Sequence, residues 1–293
     1  MSDEHDDMIP ARPETETDVG DEYLATGFVD VDRSENPAAF HNCLSLIDSL
    51  PYYRESKQRS YELLGLAPGL TVLEVGCGLG DDAIRIAELV APGGSVVGVD
   101  ASARMIELAS ARAPIGLPLK FLQADARNLP FEDAVFDRCR VDRTLQHIER
   151  PDEAIAGMVR VLAPGGTLLA YDNDWGTFTV SGPDRSTGDA MAQYWGASFV
   201  NPTLGRDLAR LFAAAGLVDI TVIPSVSVIT EFETADRVYN LRQTAQRAAK
   251  QGIITGEAAA AWLAGLENSG RRGSFHCELT AFTVTGKKPA GQD

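Results

Sequence analysis

Between residues 66 and 171 the apolar positions follow two alternating rhythms. Short apolar runs at 70–75, 95–99, 119–123, 135–141 and 167–171 have the length of buried strands. Between several of them, apolar residues recur at three- and four-residue spacing, which predicts helices over 81–90, 102–113 and 151–162. Ala83, Ile84, Ile86, Ala87 and Val90 make the apolar side of the first helix. Ser102 is placed to cap the second, and Pro151 fits the first turn of the third. Ala91-Pro92-Gly93-Gly94 and Ala163-Pro164-Gly165-Gly166 read as stops. Repeated strand–helix units with short connectors predict a mostly parallel sheet covered on both faces.

The flanks differ. From 23 to 66 the spacing of Leu44, Ile47, Leu50, Tyr61 and Leu64 is helical, interrupted at Pro51 and stopped at Leu66-Ala67-Pro68-Gly69. The last third predicts a helix over 206–215, a strand over 218–223, helices over 234–250 and 256–266, and a β-branched strand over 278–285. A strand, a helical insertion and a second strand suggest an antiparallel pair with a cap between its members. The expected fold is α/β: a Rossmann-like, seven-stranded, mostly parallel sheet with helices on both faces, an antiparallel last strand and a helical cap. It divides into a disordered acidic tail (1–20), an N-terminal helical region covering the pocket (21–65), an α/β core (66–224), a helical cap (225–274) and a final core strand (275–286).

Charge narrows the partners. The formal charge is −16, and residues 1–22 hold nine acids against one base, Arg12, which is half of that excess. Such a chain repels phosphate backbones and anionic lipid, so neither nucleic acid nor membrane is an expected partner. No apolar run is long enough to span a bilayer, and the first residues are acidic where a secretory signal would be basic. Cys43, Cys77, Cys139 and Cys277 are widely spaced, which suits a reducing cytoplasm and no metal site. His276 beside Cys277 and Glu278 fits no zinc spacing.

The chemistry concentrates in Glu74-Val75-Gly76-Cys77-Gly78-Leu79-Gly80, a strand feeding a glycine turn that opens a helix. Glycines let backbone approach a ligand closely. A dinucleotide turn would carry its third glycine where this chain has Asp81, whose carboxylate would repel a pyrophosphate. Glu74 at the strand end instead suits a cationic ligand. The next strand ends at Asp100, where a carboxylate can accept both hydroxyls of a ribose, or simply cap a helix. The third ends at Asp125, able to accept an adenine amino group. Met105 could lie against a purine face or belong to the core.

With these motifs the chain resembles the class I S-adenosylmethionine-dependent methyltransferases, in the small-molecule subgroup similar to the ubiquinone/menaquinone-biosynthesis methyltransferases. The resemblance spans 66–171 and, more loosely, the final strand pair. It also rests on Phe136-Asp137, Leu145-Gln146-His147-Ile148 and Leu162-Ala163-Pro164-Gly165-Gly166-Thr167-Leu168. It implies that S-adenosyl-L-methionine is the cofactor. Gly76, Gly78 and Gly80 would cradle its methionine part, Asp100 with Ala101 the ribose, and Asp125-Ala126 the adenine. The exit of the fourth strand, Val141 to Arg143, would line the methyl donor. Asp142-Arg143 departs from the small or uncharged residues usual there, and could be an internal ion pair or an acceptor contact.

Methyl transfer to a small-molecule acceptor by direct displacement needs alignment above all. Where a proton must leave, His147, Asp174 and its neighbour Asp172 are the candidate bases, although His147 could instead close a turn and the two acids could be turn residues. Tyr53, Trp175 and Trp195, in the flanks outside the common core, are the expected acceptor contacts. A monomer or homodimer is expected. Two other readings stay open: a donor-binding protein without methyl transfer, and a nicotinamide oxidoreductase.

Overall fold

The computed structural model describes residues 23–29, 31–34 and 37–291; the expected acidic tail at 1–20 lies outside them. The central strand β1 (Thr71–Val75) is buried along nearly its whole length. It pairs in parallel with β2 (Ser95–Asp100) and with β4 (Phe136–Asp142). Strand β3 (Leu119–Gln123) joins β2, and β5 (Leu162–Val180) joins β4, both in parallel. The closing strand β7 (Cys277–Lys287) inserts antiparallel between β5 and β6 (Val218–Ile229). The sheet order is therefore β3-β2-β1-β4-β5-β7-β6. The order reverses between β1 and β4, and the crevice at the carboxyl ends there is where open α/β sheets bind ligands.

Alternation along β1 sends Val72 toward helix α4 (Asp81–Val90), where it packs with Ala83, Ile86 and Val90. Leu73 and Val75 face the opposite side, among Ile155 and Met158 of α6 (Pro151–Val161) and Leu208 and Phe212 of a helix at 204–214. Helix α5 (Ala103–Arg112) begins at Ser102, whose hydroxyl accepts from Met105 N, as its sequence position predicts.

The third core lies beyond the sheet edge. It joins α1 (Leu24–Gly27), α2 (Pro37–Ser49), α7 (Arg185–Ala197) and the cap helices α9 (Phe232–Tyr239), α10 (Leu241–Lys250) and α11 (Gly256–Arg271) with the distal half of β5. A further helix, α3 (Pro51–Leu63), leads into β1, and α8 (Leu204–Ala214) precedes β6.

Several boundaries differ from expectation. Residues 163–166, read as a stop, belong to β5, where Gly165 takes φ +76° at an irregular pairing. Strand β5 runs on to Val180 because its far half pairs with β7. The single helix expected over 234–250 is two, divided at Asn240, which adopts φ +46°. Helix α7 was not foreseen. Strand β6 extends to Ile229, so the helical cap begins at Phe232.

Candidate functional site

A cavity of about 510 Å³ opens at the carboxyl ends of β1, β2 and β4, a size usual for small-molecule sites. One side is backbone and short side chains: Gly76, Gly78, Ala101, Ala124 and Ala126, with Met105. Gly76 adopts φ +71°, and a Cβ there would stand 2.0 Å from Thr144 Oγ1. Only glycine lets this turn approach the segment that follows β4. Asp100 closes the same side. Its Oδ2 accepts from Gly78 N (2.9 Å) and its Oδ1 from Ser102 N (3.0 Å). Burial raises its pKa against those two amides. Each oxygen keeps a second lone pair, the pair of acceptors that two vicinal hydroxyls need.

Beneath the glycine turn lies a charged cluster. Arg140, fully buried in β4, bonds Glu74 through Nη1, Asp142 through Nη2 (2.7 Å) and Ser60 through Nε (2.9 Å). Asp82 lies 3.4 Å from Nη1 and is paired with Lys57 at 3.0 Å. Burial, aided by Asp82 and Asp142, pushes Glu74 up despite Arg140. Burial also works against ionised Asp82, yet Arg140 and Lys57 hold it well below the usual range. Glu74 Oε1 serves Arg140, while Oε2 is buried without a partner among the described residues, in a side chain that lines the cavity. An orphaned carboxylate oxygen at that place fits a ligand cation.

The other side of the cavity is aromatic. Phe28, Trp175, Trp195, Phe199 and Tyr239 line it. Trp175 stacks on Phe199 with ring centroids 4.2 Å apart, and Trp195 meets both edge-on. Two polar residues from the segment after β4 project into this wall. Arg143, at φ +50°, pairs with Asp142 (2.8 Å) and lies over the Tyr53 ring at 5.0 Å. His147 sits between the rings of Phe28 and Phe199. Gln146 Oε1 accepts from Trp175 Nε1 (2.8 Å), and its Nε2 reaches Arg143 O and His147 Nε2, each at 3.2 Å.

Of the residues singled out by sequence, Glu74, Gly76, Gly78, Asp100, Ala101, Met105, Asp125, Ala126, Arg143, His147, Tyr53, Trp175 and Trp195 line this cavity. Four expectations need correction. Gly80 starts α4 at φ +81° with its Cβ position 2.6 Å from the Phe121 ring, so it shapes the turn away from the cavity. Val141 points into the sheet core and does not line the cavity. Asp174 is buried under a bidentate pair with Arg206 (2.5 and 2.7 Å) and is structural, not a base. His147 is a poor base because Nε2 faces an amide N–H and burial pushes its pKa down to about 4. Asp125 is at the rim, exposed and clamped by Arg127. Asp142-Arg143 is both an ion pair and a cavity contact.

Sequence reasoning gave no role of their own to Gln146, Phe199 and Arg140. The last was legible, since Phe136–Asp142 alternates and places Arg138, Arg140 and Asp142 on one face of the strand.

Residues 72–166 match a family model described as a methyltransferase domain. The chain is 35% identical over 232 residues to an uncharacterized 37.1 kDa protein in transposon TN4556 of Streptomyces fradiae, which covers 79% of this chain and 66% of that protein. It is 36% identical over 138 residues to the ubiquinone/menaquinone biosynthesis C-methyltransferase UbiE of Pseudomonas entomophila, 46% of this chain and 54% of that one. The chain thus spans between half and two thirds of the length of these relatives. Among solved structures, the YcgJ protein of Bacillus superposes with a TM-score of 0.57 at 20% identity, over 81% of this chain and all of that one. The Haemonchus contortus phosphoethanolamine N-methyltransferase 2, in complex with S-adenosyl-L-methionine, gives 0.55 at 20% identity, over 89% and 60%. A strand inserted antiparallel between β5 and β6 also departs from the 3-2-1-4-5-6 order of dinucleotide-binding sheets, so the oxidoreductase reading is not favoured. By its motifs, its sheet order and its relatives, the chain carries a methyltransferase domain with the fold of the class I S-adenosylmethionine-dependent methyltransferases and is similar to the ubiquinone/menaquinone C-methyltransferases.

Proposed function

We propose that the protein transfers a methyl group from S-adenosyl-L-methionine to a small-molecule acceptor by direct displacement. The observation that carries this reading is a single cavity with two unlike sides. One side combines Gly76, Gly78, the paired acceptor oxygens of Asp100 and the orphaned Glu74 Oε2; the other is an aromatic wall. When bound, the cofactor supplies a methyl group on an already cationic sulfur, so activation is its own contribution.

The chain's residues bind and orient. Asp100 would hold the ribose hydroxyls, and Ala101, Met105, Ala124 and Ala126 would offer an apolar bed for adenine. Glu74 Oε2 would accept a hydrogen bond from the ammonium, whose charge favours the carboxylate form that burial disfavours. Trp175, Trp195, Phe199 and Tyr239 exclude water and confine an acceptor, and such orientation can supply up to about 7–11 kcal/mol of the barrier.

Calorimetric titration with S-adenosylhomocysteine tests the reading. Wild type should bind. Asp100→Ala should bind at least tenfold more weakly, which is about 1.4 kcal/mol. A wild-type chain giving no heat of binding removes the cofactor assignment, and an unchanged dissociation constant in the variant removes Asp100 from it.

A further inference from the structure

The hydrogen bonds around Gln146 decide which nitrogen of His147 carries its proton. Trp175 Nε1 can only donate, and it stands 2.8 Å from Gln146 Oε1. Arg143 O can only accept, and it stands 3.2 Å from Gln146 Nε2. Both neighbours therefore fix the amide in the same orientation. Asn173 Nδ2, directed at Oε1 from 3.5 Å, agrees with them. The second hydrogen on Gln146 Nε2 then points at His147 Nε2, 3.2 Å away. An amide nitrogen accepts nothing, so His147 Nε2 must be the bare, accepting nitrogen. The ring is neutral, because burial and then the Arg143 charge push its pKa down to about 4. The single ring proton therefore lies on Nδ1.

Nδ1 is itself buried and has no partner among the described residues, in a ring that lines the cavity. A buried donor without a partner is costly, and a ligand acceptor atom would recover that cost. Phe28 and Phe199 hold the ring from two sides. Arg143, on the same short segment, adds a positive charge to that part of the wall.

We infer that His147 acts as a hydrogen-bond donor through Nδ1–H, its tautomer set by the Trp175–Gln146 relay, and that the acceptor molecule is aromatic or otherwise flat and presents an oxygen to it. Gln146 is a positioning residue. This rests on the methyltransferase reading for the identity of the reaction, but the state of the ring does not depend on it. The consequence for specificity is direct. A molecule of equal size and shape without that oxygen leaves Nδ1–H buried and unpaired.

The ring can be read without activity. The chain has four histidines, and a long-range proton–nitrogen correlation spectrum at neutral pH separates the tautomers, with His147→Phe assigning the signals. Wild type should show the proton on Nδ1 and a lone pair on Nε2. A proton on Nε2, or an imidazolium, overturns the inference. Gln146→Glu replaces the donor facing Nε2 with an acceptor and should reverse the pattern. Trp175→Phe is the milder variant should a buried carboxylate there disturb folding, and it should admit the second tautomer. An unchanged ring in Trp175→Phe overturns the relay.

The oxygen requirement is read by titrating 2-naphthol and 2-methylnaphthalene into the chain with S-adenosylhomocysteine present. The naphthol should bind at least tenfold more tightly, and His147→Phe should abolish the difference. Equal affinities in wild type, or no binding of either, overturn the requirement. A chain that takes up no S-adenosylhomocysteine defeats the methyltransferase reading alone and leaves the ring spectrum to be judged on its own.

Discussion

Asp172 shows how one buried side chain ties the site to pH. It stands at the inner part of β5, where its two oxygens accept from Gln146 N (3.1 Å) and Asn173 N (3.0 Å). Burial, outweighing those two amides, pushes its pKa up to about 8. In the unfolded chain the same carboxyl titrates near ~3.9. Between these values the folded chain keeps a proton that the unfolded chain has released. Unfolding free energy therefore falls with rising pH across this window. The contribution is fully present below about pH 4 and is lost as pH rises through about 8. Asp172→Asn cannot ionise, so its melting temperature relative to wild type should climb steadily from pH 5 to pH 8. Glu74, also raised by burial, acts equally in both chains and cancels from the difference. A difference independent of pH would mean that Asp172 is ionised in the folded protein throughout. Arg140 is the opposite kind of residue. Its charge never titrates in this range, and it satisfies three carboxylates at once. Removing one partner of such a buried pair typically costs about 3–5 kcal/mol.

At the scale of elements, the N-terminus of α5 is capped twice. Ser102 accepts from Met105 N, and Asp32, from a 3₁₀ turn at Val31–Arg33, accepts from Ala103 N (2.9 Å), Arg104 N (3.2 Å) and Ser102 Oγ. The amides of the first turn are thereby satisfied by a segment some seventy residues earlier. Asp32→Ala should lower the unfolding free energy by about 1 kcal/mol, the usual worth of a cap, with Asp32→Asn recovering most of it in a denaturant titration. No change in the midpoint for Asp32→Ala would show that water replaces the carboxylate at no cost. The pair of caps also explains what could be read in the sequence. Ser102 was legible because its bond spans three residues. Asp32 was not, because nothing local marks its partner. Helix α7 escaped for a different reason: Ser186, Thr187 and Gly188 blur its apolar rhythm, although its Asp184 cap, accepting from Ser186 N and Thr187 N, is as local as that of Ser102. The strand ends that carry Glu74, Gly76 and Asp100 were legible because parallel strands, glycine turns and helix starts are local signals. Phe199 and Gln146 were not singled out. Their roles arise only when β5, α7 and the segment after β4 meet in space.

Over the whole molecule, the cavity is closed by three parts that are distant in sequence. The N-terminal segment is fastened at both ends. Leu24 N donates to Asn240 Oδ1 and the Tyr23 hydroxyl meets Thr244 in the cap, while Asp32 grips α5 in the core. Leu24, Phe28, Val29 and Val31 between these anchors line the cavity. A ligand seated on Asp100 lies next to Ser102, and Ser102 is bonded to Asp32, so the core side of the fastening shares a side chain with the cofactor side of the site. The apolar side chains of this segment pack against the cap and line the cavity. Saturating S-adenosylhomocysteine should therefore slow hydrogen exchange at the amides of Leu24, Ala103 and Arg104 together, by about tenfold or more, since local opening must now break ligand contacts as well. Amides in the middle of β7, remote from the cavity, should not respond. Slowing at Ala103 and Arg104 without any at Leu24 would show that the core end of the segment follows the ligand while the cap end opens freely, and the three parts would then not close as one.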